Sequence, residues 1–273
     1  MLPPHHASPL PSSKTGETRL IFPGGGIYAL WQLGVVKALQ QAYDLKQSSL
    51  SVSGASAGSI AAVMAICGVD QDSAVECAVK LADEACVFTR PGGLRGIWGN
   101  LIERWLDELL PGDCHTTCSG RVHISVTSLT TTFTPLRRHV VSTFHTKKDL
   151  IDACLTSVHI PFFIDGCFSH EYRGERCLDG SLLFFLQNAA WCKSDELGEN
   201  KGAYVFNHCN DKVLMARKWG FIETVSKDAF LDMFSLGYEY GLQWSKRRQK
   251  HRPPARLERV WSYQDPADCL YVS

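Results

Sequence analysis

The sequence predicts an α/β fold: a mostly parallel central sheet covered by helices on both faces, in three layers α/β/α. Three observations predict it. Short apolar runs bounded by glycine, proline or polar residues alternate with longer segments whose apolar residues recur at three- and four-residue steps. The chain has 273 residues, 45% of them apolar and 21% charged, an ordinary globular composition with enough length for one large core. It contains no internal repeat that would suggest a solenoid.

Order is expected to begin near residue 18, where Arg19-Leu20-Ile21-Phe22 reads as a buried strand running into Pro23-Gly24-Gly25-Gly26. A helix follows, because Ile27, Leu30, Trp31, Val35, Ala38, Leu39 and Ala42 share one face. A second strand, residues 50–53, meets Gly54-Ala55-Ser56-Ala57-Gly58 and then the small apolar stretch 59–67, which suits a tightly packed helix. Further helices are expected over 72–86 and 101–110, with a glycine-rich loop, 91–100, between them. Strands at 122–127 and 138–144 precede a helix at 147–155, which Pro161 brings to an end. A strand or hairpin leads through Arg176-Cys177-Leu178 to Asp179-Gly180, residues 203–206 form a late strand, and 228–249 the last helix. The polar run 193–201 reads as a surface loop.

Residues 1–17 carry four prolines and no apolar run, so they read as a disordered tail and not as a signal peptide. Residues 18–210 are expected to be the catalytic domain and 211–273 a helical extension packed on it. No apolar stretch reaches the roughly 18 residues of a membrane span. Lys+Arg and Asp+Glu both number 28, so no overall field draws the chain to nucleic acid, and no nucleic-acid partner is expected. Eleven cysteines scattered through regular segments suggest reduced thiols in a cytosol-like compartment. Cys114, His115, Cys118 and His123 lack a matching second pair, so no metal site is expected.

Gly54-Ala55-Ser56-Ala57-Gly58 matches G-x-S-x-G, whose small flanks let a serine sit on a strained strand-to-helix turn with its hydroxyl exposed. The expected strand before it and helix after it supply the context that the pattern requires. Gly24, Gly25 and Gly26 lie between a strand and a helix, where backbone N–H groups converge at the helix's positive end and stabilise an anion. That anion could be a phosphate or the oxyanion of an ester's tetrahedral intermediate. Gly24, Gly26 and Ala29 also fit a loose dinucleotide pattern with Asp44 downstream. However, Asp44 ends a helix, whereas the ribose-binding acid must end the second strand. Asp179 closes an apolar strand before Gly180, which is a common turn pair and also a place for the base that an activated serine needs.

The ordered set Gly24-Gly25-Gly26, then Gly54-x-Ser56-x-Gly58, then Asp179-Gly180 resembles the patatin-like phospholipase family. The small-residue stretch Ala153 through Phe163, with Pro161, resembles the family's segment ahead of its aspartate. The resemblance implies a lipid acyl hydrolase with a Ser56/Asp179 dyad, an acyl-serine intermediate and an oxyanion hole at the Gly24–Gly26 loop, needing neither cofactor nor metal. It also implies a lipid or phospholipid substrate, and with the reduced thiols and the lack of a span the expected location is cytoplasmic, peripheral at membranes or lipid droplets. The chain departs from the family's pattern at Tyr28, Ala29 and Ser181, which bears on loop geometry and substrate range and leaves both catalytic side chains in place.

Two other readings stand beside this one. A Ser-His-Asp α/β-hydrolase would take its base from a histidine after the acid, and only His208 and His251 follow Asp179. A non-catalytic lipid-binding scaffold would keep the fold alone. Ile160, Phe162, Phe163 and Ile164, with residues 182–186, flank Asp179 in sequence as acyl-channel candidates. Lys246, Arg247, Arg248 and Lys250 close the last helix and could meet an anionic membrane surface, where each basic residue adds about 1 kcal/mol.

Overall fold

A computed structural model describes residues 18–130, 135–186, 203–220 and 222–250. The expected tail, 1–17, and the polar run 193–201 lie outside the described residues.

The first strand, β1 (Thr18–Phe22), pairs in parallel with β2 (Leu50–Ala55), Phe22 lying opposite Gly54. On its other side it pairs in parallel with β7 (Ala203–Val205). β2 pairs in parallel with β3 (Val122–Leu129), whose own neighbours β4 (Leu136–Val141) and β6 (Glu175–Leu178) are antiparallel. β5 (His170–Tyr172) closes a hairpin onto β6. Along the path β5-β6-β3-β2-β1-β7, with β4 attached to β3, five of the seven strands run one way. The expected mostly parallel sheet is therefore present, with β4 and β6 reversed.

Parallel strands require crossovers, and helices provide them. After β1 a short 3₁₀ turn, Gly26–Tyr28, leads into α1 (Ala29–Ala42). After β2 comes α2 (Ala57–Cys67), in which every residue but the last is buried. That is why its sequence is apolar on all faces. Then follow α3 (Gln71–Glu84), whose cap Asp70 accepts from the Ser73 N–H, and α4 (Trp98–Leu109). α5 (Cys114–Cys118) precedes β3, and α6 (Lys147–Ser157), capped by the Thr146 hydroxyl, precedes the β5–β6 hairpin. α7 (Leu182–Leu186) follows Asp179, and α8 (Lys212–Met215) and α9 (Lys227–Lys250) complete the described chain. None of the described helices is long and apolar enough to cross a membrane.

The core is built around Phe22, Trp31, Leu33, Leu39 and Phe206, all fully buried. Phe22 stacks on Phe206 at 5.4 Å, and Trp244 of α9 packs edge-on against Phe206 at 4.9 Å. α9 crosses α1 at backbone distance: a Cβ at Gly237 would overlap the Trp31 carbonyl, and one at Gly34 would overlap that of Phe234. The indole N–H of Trp31 donates to Asp211 Oδ2 at 2.8 Å, tying α1 to the start of α8.

Candidate active site

Both glycine-rich turns end adjacent parallel strands, so their helices begin side by side at the C-terminal ends of β1 and β2. Ser56 caps α2 with φ +51° and ψ −129°, a conformation that a non-glycine residue holds only when its surroundings enforce it. Here they do. A Cβ at Gly58 would overlap the Phe22 carbonyl oxygen, and one at Gly54 would overlap the Gly58 carbonyl, so β1, β2 and α2 meet backbone to backbone. The Ser56 N–H donates to Ser157 Oγ at 2.9 Å, and the Ser56 carbonyl accepts from Ser59 N at 2.8 Å and Ser59 Oγ at 2.7 Å.

The Gly24–Gly26 loop lies against the same turn. A Cβ at Gly24 would sit 3.2 Å from Ser56 Cβ and would overlap the Ser181 hydroxyl. Gly26 takes φ +57°, which the missing side chain permits. Gln32, fully buried on α1, donates from Nε2 to the Pro23 carbonyl at 2.6 Å and so fixes the approach to the loop. The positive ends of α1 and α2 both face this region, a field that favours negative charge.

Asp179 leaves β6 with its N–H on the His159 carbonyl at 2.9 Å and its own carbonyl accepting from Thr127 Oγ1 at 2.9 Å. Gly180 N donates to the Ser157 carbonyl at 2.8 Å, and a Cβ there would overlap the Ser125 carbonyl. Ser157 is thus shared. Its hydroxyl donates to Ser125 O at 2.7 Å while accepting from Ser56 N, joining the serine turn to the strand beside the aspartate. The carboxylate is 6% exposed and accepts from Ser181 N at 2.7 Å through Oδ1, while Oδ2 is buried without a hydrogen-bond partner of normal geometry. Burial pushes its pKa up to about 6, against the pull of the neighbouring Ser56 hydroxyl and of Ser181.

Ser56, Asp179, Gly24, Gly26, Gly54, Gly58 and Gly180 are therefore one locality. His208 is placed differently. Its ring stacks on Tyr28 at 4.4 Å and abuts Gly25, its Nε2 meets Cys209 Sγ at 3.6 Å, and its Nδ1 has no partner. Burial lowers its pKa to about 4, so the ring is neutral, and neither nitrogen bonds Ser56 or Asp179. The Tyr28 hydroxyl donates to the Trp219 carbonyl, so the departure at Tyr28 anchors the loop to the segment before α9. His159 is also buried, which lowers its pKa against the nearby Asp165 charge. Cys114 and Cys118 are buried, with Cys118 Sγ 3.5 Å from Cys67 Sγ, and among the described residues they form no ligand cluster with His115 or His123.

Ser56 and Gly26 open on a cavity of about 360 Å³ walled by Ile60, Trp98, Ile160 and Ile164. Ala29, Trp98, Ile102 and Trp105 also wall a second, almost wholly apolar cavity of about 700 Å³ that extends to Phe88, Leu94 and Phe230. Of the channel candidates flanking Asp179, Ile160 and Ile164 reach the smaller cavity, whereas Phe162 is 56% exposed and Phe163 packs on Trp98 at 5.8 Å. Leu186, at 63% exposed, faces away from the core. Gln32 escaped the sequence reading because a lone amide on an apolar helix carries no pattern, and Ser157 was read only as one member of the small-residue stretch, with no sign of its bridging role.

Residues 20–189 match the family model described as patatin-like phospholipase. The omega-hydroxyceramide transacylase of Homo sapiens is 30% identical over 172 residues, covering 62% of this chain and 31% of that protein. The 1-acylglycerol-3-phosphate O-acyltransferase Pnpla3 of Mus musculus is 32% identical over 167 residues, covering 60% and 39%. The chain thus spans roughly a third of the length of these relatives. Among solved structures, VipD from Legionella pneumophila superposes with a TM-score of 0.46 at 13% identity, covering 90% of this chain and 72% of that one.

Proposed function

The chain belongs to the patatin-like phospholipase family, and from that premise we propose that it cleaves fatty acyl esters of lipids with Ser56 as nucleophile and Asp179 as base. One observation carries the reading: a serine held at φ +51° lies beside a buried aspartate with an unpartnered oxygen, at the mouth of an apolar cavity. Asp179 takes the Ser56 proton, Oγ attacks the acyl carbonyl, and the oxyanion is met by N–H groups of the Gly24–Gly26 loop at the start of α1. Collapse expels the alcohol, which leaves with the proton from Asp179. The same carboxylate then deprotonates a water that frees the fatty acid.

The acyl chain is assigned to the two cavities that share Ala29 and Trp98, where each buried methylene contributes about 0.8 kcal/mol. An acceptor other than water is the second reading, favoured because two relatives are named as a transacylase and an acyltransferase. Lys246 and Arg247 are exposed at the end of α9, while Arg248 lies over the Tyr204 and Trp244 rings. We assign Lys246, Arg247, Arg248 and Lys250 to an anionic lipid surface. Changing all four to glutamine is expected to weaken binding to anionic vesicles several-fold and to spare hydrolysis of a soluble ester; equal vesicle binding at low salt removes the assignment.

The deciding test is turnover of a long-chain chromogenic ester by the purified protein and by Ser56→Ala. The substitution is expected to leave the melting curve intact and to cut the rate about a thousandfold or more, together with loss of fluorophosphonate labelling. A folded Ser56→Ala protein with undiminished turnover refutes the proposal. Product analysis with a lipid alcohol present separates hydrolysis from acyl transfer.

A further inference from the structure

We infer that His159, Asp165 and His170 form a binding site for a divalent transition-metal ion of the zinc or iron(II) kind. Each offers one ligand atom, and these atoms lie within 4.8 Å of one another. Among the described residues no other group of three or more metal-ligating side chains is brought together in this way.

His159 is the fixed member. It is fully buried, and its Nε2 lies 3.3 Å from the Cys167 carbonyl oxygen. A carbonyl only accepts, so the ring proton sits on Nε2 and Nδ1 carries a lone pair. That Nδ1 is buried with no hydrogen-bond partner and faces Asp165 Oδ2 at 3.9 Å. A lone pair and a carboxylate oxygen thus confront each other with no proton to share, an arrangement that a cation between them resolves. A metal-binding histidine characteristically donates its other ring N–H to a carbonyl or carboxylate, which fixes the tautomer and aims the free nitrogen.

The other two donors complete the set. Asp165 accepts from the Cys167 N–H at 2.8 Å through Oδ1, which orients the carboxylate and leaves Oδ2 toward His159. The His170 ring lies 5.8 Å from that of His159, at the start of β5. Two imidazoles and one carboxylate suit zinc or iron(II), whereas magnesium and calcium take oxygen throughout and copper(I) prefers sulfur; zinc, which needs no reducing conditions, is the ion used in the test. Asp165 is exposed and His170 half-buried, so the ion reaches the site from solvent and a fourth position stays open there. Zinc bonds of about 2.0–2.2 Å require the donors to close by about 1 Å, which the two outer residues can do on the fixed His159.

The placement suggests what the ion would do. The backbone carbonyl of His159 holds the Asp179 N–H, and Ile160 and Ile164 of the intervening loop wall the cavity at Ser56. Zinc would clamp that loop to β5 and brace the wall beneath the aspartate. The site includes neither Ser56 nor Asp179 and does not depend on the hydrolase reading.

The test strips the full chain with a chelator, then titrates zinc in competition with a chromophoric zinc indicator, alongside His170→Ala and Asp165→Asn. Asp165 is exposed and His170 half-buried, so the melting curve of each variant checks its fold, and asparagine keeps the bond from Cys167 N. One equivalent is expected to bind the parent and Ser56→Ala alike and to raise their melting temperatures, with affinity at least tenfold weaker in each ligand variant. Cobalt(II) in place of zinc is expected to give visible d–d bands without thiolate charge transfer. No stoichiometric binding, or an affinity unchanged in both ligand variants, overturns the site, and so does a thiolate charge-transfer band, which would point to Cys67 and Cys118 instead.

Discussion

The two sides of the cleft are held by partly different means. Around Ser56, backbone meets backbone: Gly58 lies on the Phe22 carbonyl and Gly54 on Gly58, with no side chain between β1, β2 and α2. Around Asp179 similar backbone contacts recur, with Gly180 on the Ser125 carbonyl and the Asp179 and Gly180 N–H groups on the His159 and Ser157 carbonyls, and hydroxyls are added to them: Thr127 on the aspartate's carbonyl, and Ser157 bridging to Ser56 and Ser125. Contacts of the first kind fix position and admit no added atom. The polar neighbours of the carboxylate do something else: Ser56 and Ser181 pull its proton affinity down against the burial that raises it.

The comparison is tested most severely at the aspartate itself. Asp179→Asn keeps shape and removes the proton acceptor, so turnover is expected to fall about as far as in Ser56→Ala, while His208→Gln retains most of it. A folded, inactive His208→Gln protein beside an active Asp179→Asn would restore the histidine triad. Gly58→Ala comes next. The added methyl has no space against the Phe22 carbonyl, and a loss of about 3 kcal/mol or more is expected in denaturant melts. Ser157→Ala, on the softer side, removes one acceptor from a buried N–H and is expected to cost about 1–3 kcal/mol. If the two losses are equal, the contrast fails.

Asp179 also links the cleft to pH. Its folded pKa of about 6 lies above the roughly 3.9 of an unfolded aspartate, so the native state binds more protons between those values. Stability therefore falls as pH rises from about 4 to 6 and stays lowered above, by on the order of 2–3 kcal/mol. Asp179→Asn is expected to melt higher than the parent at pH 8 and equally at pH 3.5. The kcat/KM of the parent is expected to rise through pH 6 and then level, since the base must be ionised. The smallest effect belongs to Ala29→Leu, which adds bulk to a wall that the two cavities share. About a tenfold loss on long-chain esters, with short-chain turnover spared, is the expected result; equal losses on both would place the acyl chain elsewhere.

The periodic elements were legible because they bury one face or all faces. The apolar stretch after Ser56 became α2, and residues 228–249 fall within α9. The antiparallel β4 and β6 were not separable from parallel strands, since pairing direction leaves no mark in runs of six and four residues. α5 was missed because five residues contain too little periodicity to read. Ser56 could be read from its small flanks together with the strand before and the helix after them, whereas Asp179-Gly180 looked like any turn until the ordered set of motifs gave it a role. His159, Asp165 and His170 were invisible as a group. The loop that gathers them turns through positive φ at Phe162 and Gly166, and no regular spacing announces such a turn.

The close crossing of α1 and α9 bears on how the chain can be divided. The family match ends at residue 189, yet Trp31, on the helix that follows the Gly24–Gly26 loop, has Gly237 against its carbonyl and Tyr240 tilted over its ring at 5.0 Å. A fragment trimmed to the matched region would strip β7 from β1 and uncover the whole outer flank of α1. The smallest piece able to fold and be expressed on its own must therefore reach past the family boundary to about residue 250, and low solubility of a shorter fragment would report this missing helix and say nothing about the chemistry.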